Sequence, residues 1–221
     1  MIFVYRLATR VRFTLIAGVL AGCLAAPLCS ADTFSKPPAT QSTVSFWLSI
    51  YTRYPLTQGV IHDSRYPEII YDVIELLHPD AAGAYPINDH RMRQARATYR
   101  RILDRLIQTP GCDDPEVKRV AKMFGPSATP DQLKKAKRRI RCQVGQRDRF
   151  RDGLIRSAAY IDRIRAIFRN ADLPEDLAYL PHVESSFNYQ AHSKSGAVGI
   201  WQFTRRTGRH YLQINAALDE R

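Results

Sequence analysis

Two short stretches of the chain carry residue types suited to moving a proton. Glu184 closes a helical run in which Leu177, Leu180 and Val183 are spaced to share one face, and Ser185-Ser186-Phe187-Asn188 follows it as a loop. Gly199-Ile200-Trp201-Gln202 comes next, with Gln202 eighteen positions after Glu184. A carboxyl group at the carbonyl end of a helix, beside apolar side chains, meets desolvation and negative partial charge together. Both disfavour ionisation, so the expectation is a raised pKa, which a general acid needs near neutral pH. By position alone Glu184 reads more readily as an exposed helix-end glutamate. His182 is expected as a packed helix residue rather than a catalyst, and Trp201 and Phe203 as core or ligand-stacking rings. No metal site, phosphate-binding motif or cofactor is expected.

These residues need elements to hold them. Pro174-Glu175-Asp176 makes a good first helical turn, and Pro181 should weaken or kink the helix before Glu184. Upstream, Phe150, Leu154, Ala158, Ile161, Ile164 and Phe168 fall on one stripe, expected as a buried helix face. Met92, Ala95, Tyr99, Leu103 and Leu106 define a helix from about Asp89 to Gln108, stopped by Pro110-Gly111. Pro79 to Pro86 reads as loop. A shorter helix spans Pro115 to Phe124, and Thr129-Pro130 opens another with threonine as N-cap. Its basic run, Lys134 to Arg139, is expected to be a solvated face. Gly59-Val60-Ile61-His62 and Ile69 to Ile74 are β-rich and separated by Asp63 to Pro67, which suggests a small hairpin. The expected fold class is mainly α.

Pro181-His182-Val183-Glu184-Ser185-Ser186-Phe187-Asn188, with Ser195-Gly196-Ala197-Val198-Gly199-Ile200-Trp201-Gln202 after it, resembles the lytic transglycosylases of the lysozyme-like superfamily, and most closely the membrane-bound type D branch. Arg141-Cys142-Gln143-x-Gly145 and Arg149-Phe150-x-x-Gly153-Leu154 look like the same branch. The resemblance implies that Glu184 is the catalytic acid/base, that Ser185 helps position it and the sugar, and that Gly199 and Gln202 line the sugar groove. It implies cleavage of the β-1,4 bond between N-acetylmuramic acid and N-acetylglucosamine in peptidoglycan glycan strands. One carboxyl then suffices, because the sugar's own 6-hydroxyl replaces water and leaves a 1,6-anhydro end. The family's third motif, an Ala-Tyr-Asn segment on a later helix, is not found before Arg221, so the lysozyme-like domain is expected to be C-terminally incomplete. A catalytically inactive peptidoglycan-binding protein is the alternative from another functional class. The organisation expected is a signal peptide over 1–31, a mostly helical region over 32–145, and the first part of the transglycosylase domain over 146–221.

Composition fits a protein that works outside the cytoplasm. Arg6, Arg10 and Arg12 precede an apolar run from Phe13 to Leu28, and Cys29-Ser30-Ala31 supplies the small residues of a cleavage site. Cleavage there gives a soluble periplasmic product starting at Asp32. Leu20-Ala21-Gly22-Cys23 also resembles a lipoprotein box, and a lipidated Cys23 would tie the chain to the outer membrane. The net charge of +12 suits an anionic polymer, and peptidoglycan with its peptide carboxylates is one. Nucleic acid is not expected for an exported chain. Cleavage after Ala31 leaves Cys112 and Cys142, an even pair that can form a disulfide, worth about 3–4 kcal/mol by loop entropy. A zinc site from two cysteines is the weaker reading.

Overall fold

The alternation in Gly59-Val60-Ile61-His62 builds a strand whose two faces both find cover. The computed structural model describes residue 34 and residues 37–221 except 216. The expected signal peptide, with Cys23 and Cys29, lies outside the described residues. Strand β1 (Gln58–Asp63) pairs antiparallel with β2 (Ile70–Glu75), as the hairpin reading expects, with an irregularity at Ile61/His62. A third strand, β3 (Ile140–Val144), adds to the other edge of β1, so the sheet order is β2-β1-β3. No strand was expected there. Its five residues directly follow a basic helix, and their half-exposed side chains give only a faint period of two.

Because β1 is central, successive residues point to opposite faces, and each face has its own cluster. Val60 meets Phe46, Ile50 and Tyr54, the buried side of helix α1 (Gln41–Thr52) and its end. Ile61 meets the larger cluster of α2 (Ala84–Gln108), α3 (Pro115–Phe124) and α4 (Pro130–Arg139). In α2, Tyr99, Ile102, Leu103 and Leu106 recur at three- and four-residue steps and are buried. Tyr71 of β2 stacks on Tyr99 with ring centroids 5.5 Å apart. Helix α2 starts five residues before the expected Asp89, because Pro86 sits in its first turn, where a missing N–H costs nothing. Helix α3 has the bounds the sequence implies. Helix α4 opens on a capping box: the Thr129 hydroxyl accepts from Gln132 N at 3.3 Å, and the Gln132 side chain accepts from Thr129 N at 2.8 Å.

The basic run on α4 is not simply solvated. Lys137 donates to Asp104 on α2 at 2.6 Å. Arg139 pairs at 2.9 Å with Asp63, whose side chain is fully buried at the end of β1 and also accepts from Arg65 N and Tyr66 N. Such a pair fixes register by making its own disruption costly.

The C-terminal part departs further from expectation. The 150–168 stripe is split between α5 (Arg147–Ser157) and α6 (Ile161–Asn170) by a turn at Ala158–Tyr160. It is not a buried face: Leu154 is 50% exposed, and α6 buries no residue fully. A 3-10 turn (Glu175–Tyr179) then leads into α7 (Leu180–Glu184), with Pro181 in its first turn. The expected buried stripe of Leu177, Leu180 and Val183 does not form, since Leu180 and Val183 are 45% and 53% exposed. In a 3-10 turn side chains three residues apart eclipse, and the line that packs inward is that of Ala178 and Pro181, with His182 beside it, rather than that of Leu177 and Leu180. A one-turn helix, α8 (Arg205–Gly208), follows. Among the described residues no helix is long and apolar enough to cross a membrane.

Candidate active site

Glu184 is the last residue of α7, and immediately after it the backbone is forced to reverse. Ser186 and Phe187 both take positive φ, 53° and 55°, a left-handed conformation unfavourable to side-chain-bearing residues. Three contacts hold the turn. The Phe187 ring is fully buried, and its backbone N donates to Pro181 O at 3.1 Å. Arg156 of α5 donates from Nε to Ser186 O at 2.9 Å. Gly153 lets α5 come close: a Cβ there would lie 3.1 Å from both the Ser186 side chain and its carbonyl oxygen. Gly153 and Arg156 of α5 therefore buttress the turn behind Glu184.

The second stretch folds back onto the first. Ser185 Oγ donates to Ile200 O at 2.8 Å, which joins the two motifs directly. Gly199 has φ +80° and Gln202 +51°, and Gln202 Nε2 donates to Gly199 O at 2.8 Å and Ala191 O at 3.2 Å. Its amide nitrogen is thus committed to shaping the turn. A Cβ on Gly199 would meet the Arg221 backbone at 2.8 Å, so glycine answers both a φ and a space requirement. Trp201 packs edge-on to Phe168 of α6 at 6.0 Å, a structural contact.

Beneath Glu184 lies an aromatic cage around His182. Phe187, Phe150 and Tyr179 stand 4.6, 5.4 and 6.3 Å from its ring. Burial lowers its pKa, and its Nδ1 is buried without a hydrogen-bond partner among the described residues. A neutral, packed imidazole is what the sequence implies for this position.

Glu184 itself is solvent-exposed, so the apolar enclosure expected around its carboxyl is absent. Its neighbours Val183 and Leu180 on α7 face solvent as well. Sequence reasoning also missed Tyr51 of α1, half-buried between Trp47 and Phe150 at ring distances of 6.2 and 5.5 Å. Burial, and after it the negative charge of Glu184, raise the pKa of the Tyr51 hydroxyl, so an N-terminal helix reaches the neighbourhood of this carboxyl. No local sequence signal links the two; only the packing of α1 on α5 brings them together.

The two cysteines are free thiols in this structure, so the expected bond between them is not formed. Both pack against the larger core cluster, and burial pushes the Cys142 thiol up to about 11. A thiol so protonated at neutral pH is a poor nucleophile. Among the described residues no group of three or more His, Cys, Asp or Glu side chains is placed to hold a metal ion.

Residues 164–221 match the Transglycosylase SLT domain family, and this part of the chain is of lytic-transglycosylase descent. Two relatives named membrane-bound lytic murein transglycosylase D, from Escherichia coli strain K12 and E. coli O6:H1 strain CFT073, are each 38% identical over 60 residues. That match covers 27% of this chain and only 13% of each relative's length. No solved structure matches the chain significantly.

Proposed function

We propose that the chain acts on peptidoglycan as a lytic transglycosylase, with Glu184 as its single acid/base. The observation that supports this best is the 2.8 Å bond from Ser185 to Ile200, which makes one unit of the acid's turn and the Gly199–Gln202 turn within the family-matched segment. In the proposed reaction, Glu184 gives its proton to the glycosidic oxygen as the bond from muramic acid C1 breaks. The carboxylate then takes the proton of the muramyl 6-hydroxyl as that oxygen closes on C1, leaving a 1,6-anhydro end and regenerating the acid. Ser185 orients the turn, and Gly199 and Gln202 shape the groove wall. A glycan lying over the exposed carboxyl would supply the desolvation that the resting protein lacks.

A second reading, a groove that binds peptidoglycan without cleaving it, is favoured by that same exposure of Glu184. Incubation with purified peptidoglycan separates the two. Anhydro-muropeptides detected by mass spectrometry are the expected result, with Glu184→Gln losing about 10²–10⁴-fold in rate while still binding. Binding with no anhydro product supports the second reading.

We also place the chain in the periplasm, exported by residues 1–31. The domain division near residue 145 is part of the same proposal. Intact mass of the periplasmic product tests the export: the expected species starts at Asp32. A lipid on Cys23 would count against the proposed product.

A further inference from the structure

A cleft of about 540 Å³ opens between the start of α2 and the start of α5, away from Glu184's own turn. Leu56, Leu76 and Met92 form its apolar wall, and Tyr85, 79% exposed, stands at its rim. Two cations face it, Arg149 from the first turn of α5 and Lys194 from the loop between the two site motifs. Both are exposed, and among the described residues neither has an acidic partner or a hydrogen-bond acceptor. The acid in the lining, Asp89, is engaged by Arg93 at 2.5 Å. An apolar wall with two uncompensated cations fits a ligand with a carboxylate and short aliphatic side chains.

The cleft is mechanically tied to the site. Arg149 lies on the helix whose Gly153 and Arg156 support Ser186. Lys194 sits at the tip of a tight turn closed by Ser193 N to Ala197 O at 2.8 Å, five residues before Gly199.

We infer that this cleft binds the carboxylate-bearing peptide stem that branches from muramic acid, an assignment that rests on the proposed action on peptidoglycan. Stem and glycan are then read by different parts of the molecule, the stem by α2 and α5 and the glycan by the Glu184 and Gly199–Gln202 turns.

Calorimetric titration of the full chain carrying Glu184→Gln, which keeps ligand intact, tests this with two probes: a muramyl disaccharide with its tetrapeptide stem and the same disaccharide without peptide. The stem-bearing probe is expected to bind about tenfold tighter, the scale of one charge-assisted contact. Arg149→Ala with Lys194→Glu should erase that preference and leave the stem-free affinity unchanged. Both side chains are exposed, so circular dichroism of the double variant should match the parent. Equal affinity for the two probes, or a preference that survives the double substitution, overturns the assignment. Cleavage by the unsubstituted chain without stem preference sinks the cleft alone, whereas stem preference without anhydro products sinks the cleavage reading alone.

Discussion

The two parts of this molecule are held together by different means. Both core clusters draw their fully buried members from residues 46–140, where a central strand is covered on both faces. Beyond β3 the buried apolar side chains are few among the described residues, with Ala178, Pro181, Phe187 and Ala197 the buried ones, while Leu154, Ile155, Leu180 and Val183 face solvent. There the backbone is fixed by turns: positive φ at Ser186, Phe187 and Gln202, and hydrogen bonds from Arg156, Ser185 and Gln202 into carbonyls. Apolar burial is non-directional and sets how stable a region is. Hydrogen-bonded turns add little net stability but fix atoms in place. The first part thus carries the stability and the second the geometry of the proposed chemistry.

The contrast breaks most visibly in the core. Leu103 is fully buried, so Leu103→Ala should cost about 2–5 kcal/mol in urea unfolding, while Leu180→Ala, on the exposed side of α7, should stay within about 0.5 kcal/mol. Similar losses at both sites would mean that the second part also depends on burial. Gly153→Ala is the next largest. Its new methyl must push Ser186 away, for an expected cost of about 1–3 kcal/mol, and it should lower peptidoglycan turnover while amide exchange in β1 and β3 stays slow.

A smaller effect involves both parts. Burial lowers the pKa of His62, against Phe46, and of His182, in its aromatic cage. In the unfolded chain each histidine takes a proton near pH 6.5, whereas the folded chain resists it. Stability from these residues is therefore full above about pH 6.5 and falls as pH drops toward the lowered native values. Urea midpoints at about pH 7.5 and about pH 5.5 should differ accordingly. His182→Phe, which keeps a ring in the cage, should shrink the difference; an unchanged difference would show that His182 is not held neutral.

How much of this was readable from the sequence tracks the same divide. Where burial governs, periodicity reports it: the β1–β2 hairpin, α3 and the threonine cap of α4 all match expectation. The mainly α class and the lytic-transglycosylase descent of residues 164–221 were also legible. Strand β3 was hidden by the basic helix before it. Where turns govern, periodicity misleads. The 150–168 stripe crosses a break at Ala158–Tyr160, and of the stripe meant to enclose Glu184, Leu180 and Val183 lie on the solvent side. Tyr51's approach to Glu184 is a packing outcome that no local pattern records.

The position of β3 in the sheet has a consequence for the order in which the chain can fold. As synthesis proceeds from the N-terminus, β1 and β2 can close on each other once Glu75 is free, a local event on the microsecond scale. The other edge of β1 must wait for Ile140–Val144, which arrives only after the whole of α2, α3 and α4. Until then an apolar strand edge stands open, with Val60 and Ile61 on it, offering a template to any other strand nearby. The three helices made in the interval supply the cluster that covers Ile61, so the nascent chain hides one face of the hairpin before it can close the edge. A chain released or stalled before residue 144 would carry a finished hairpin with an unguarded side, and self-association at that edge is its expected failure.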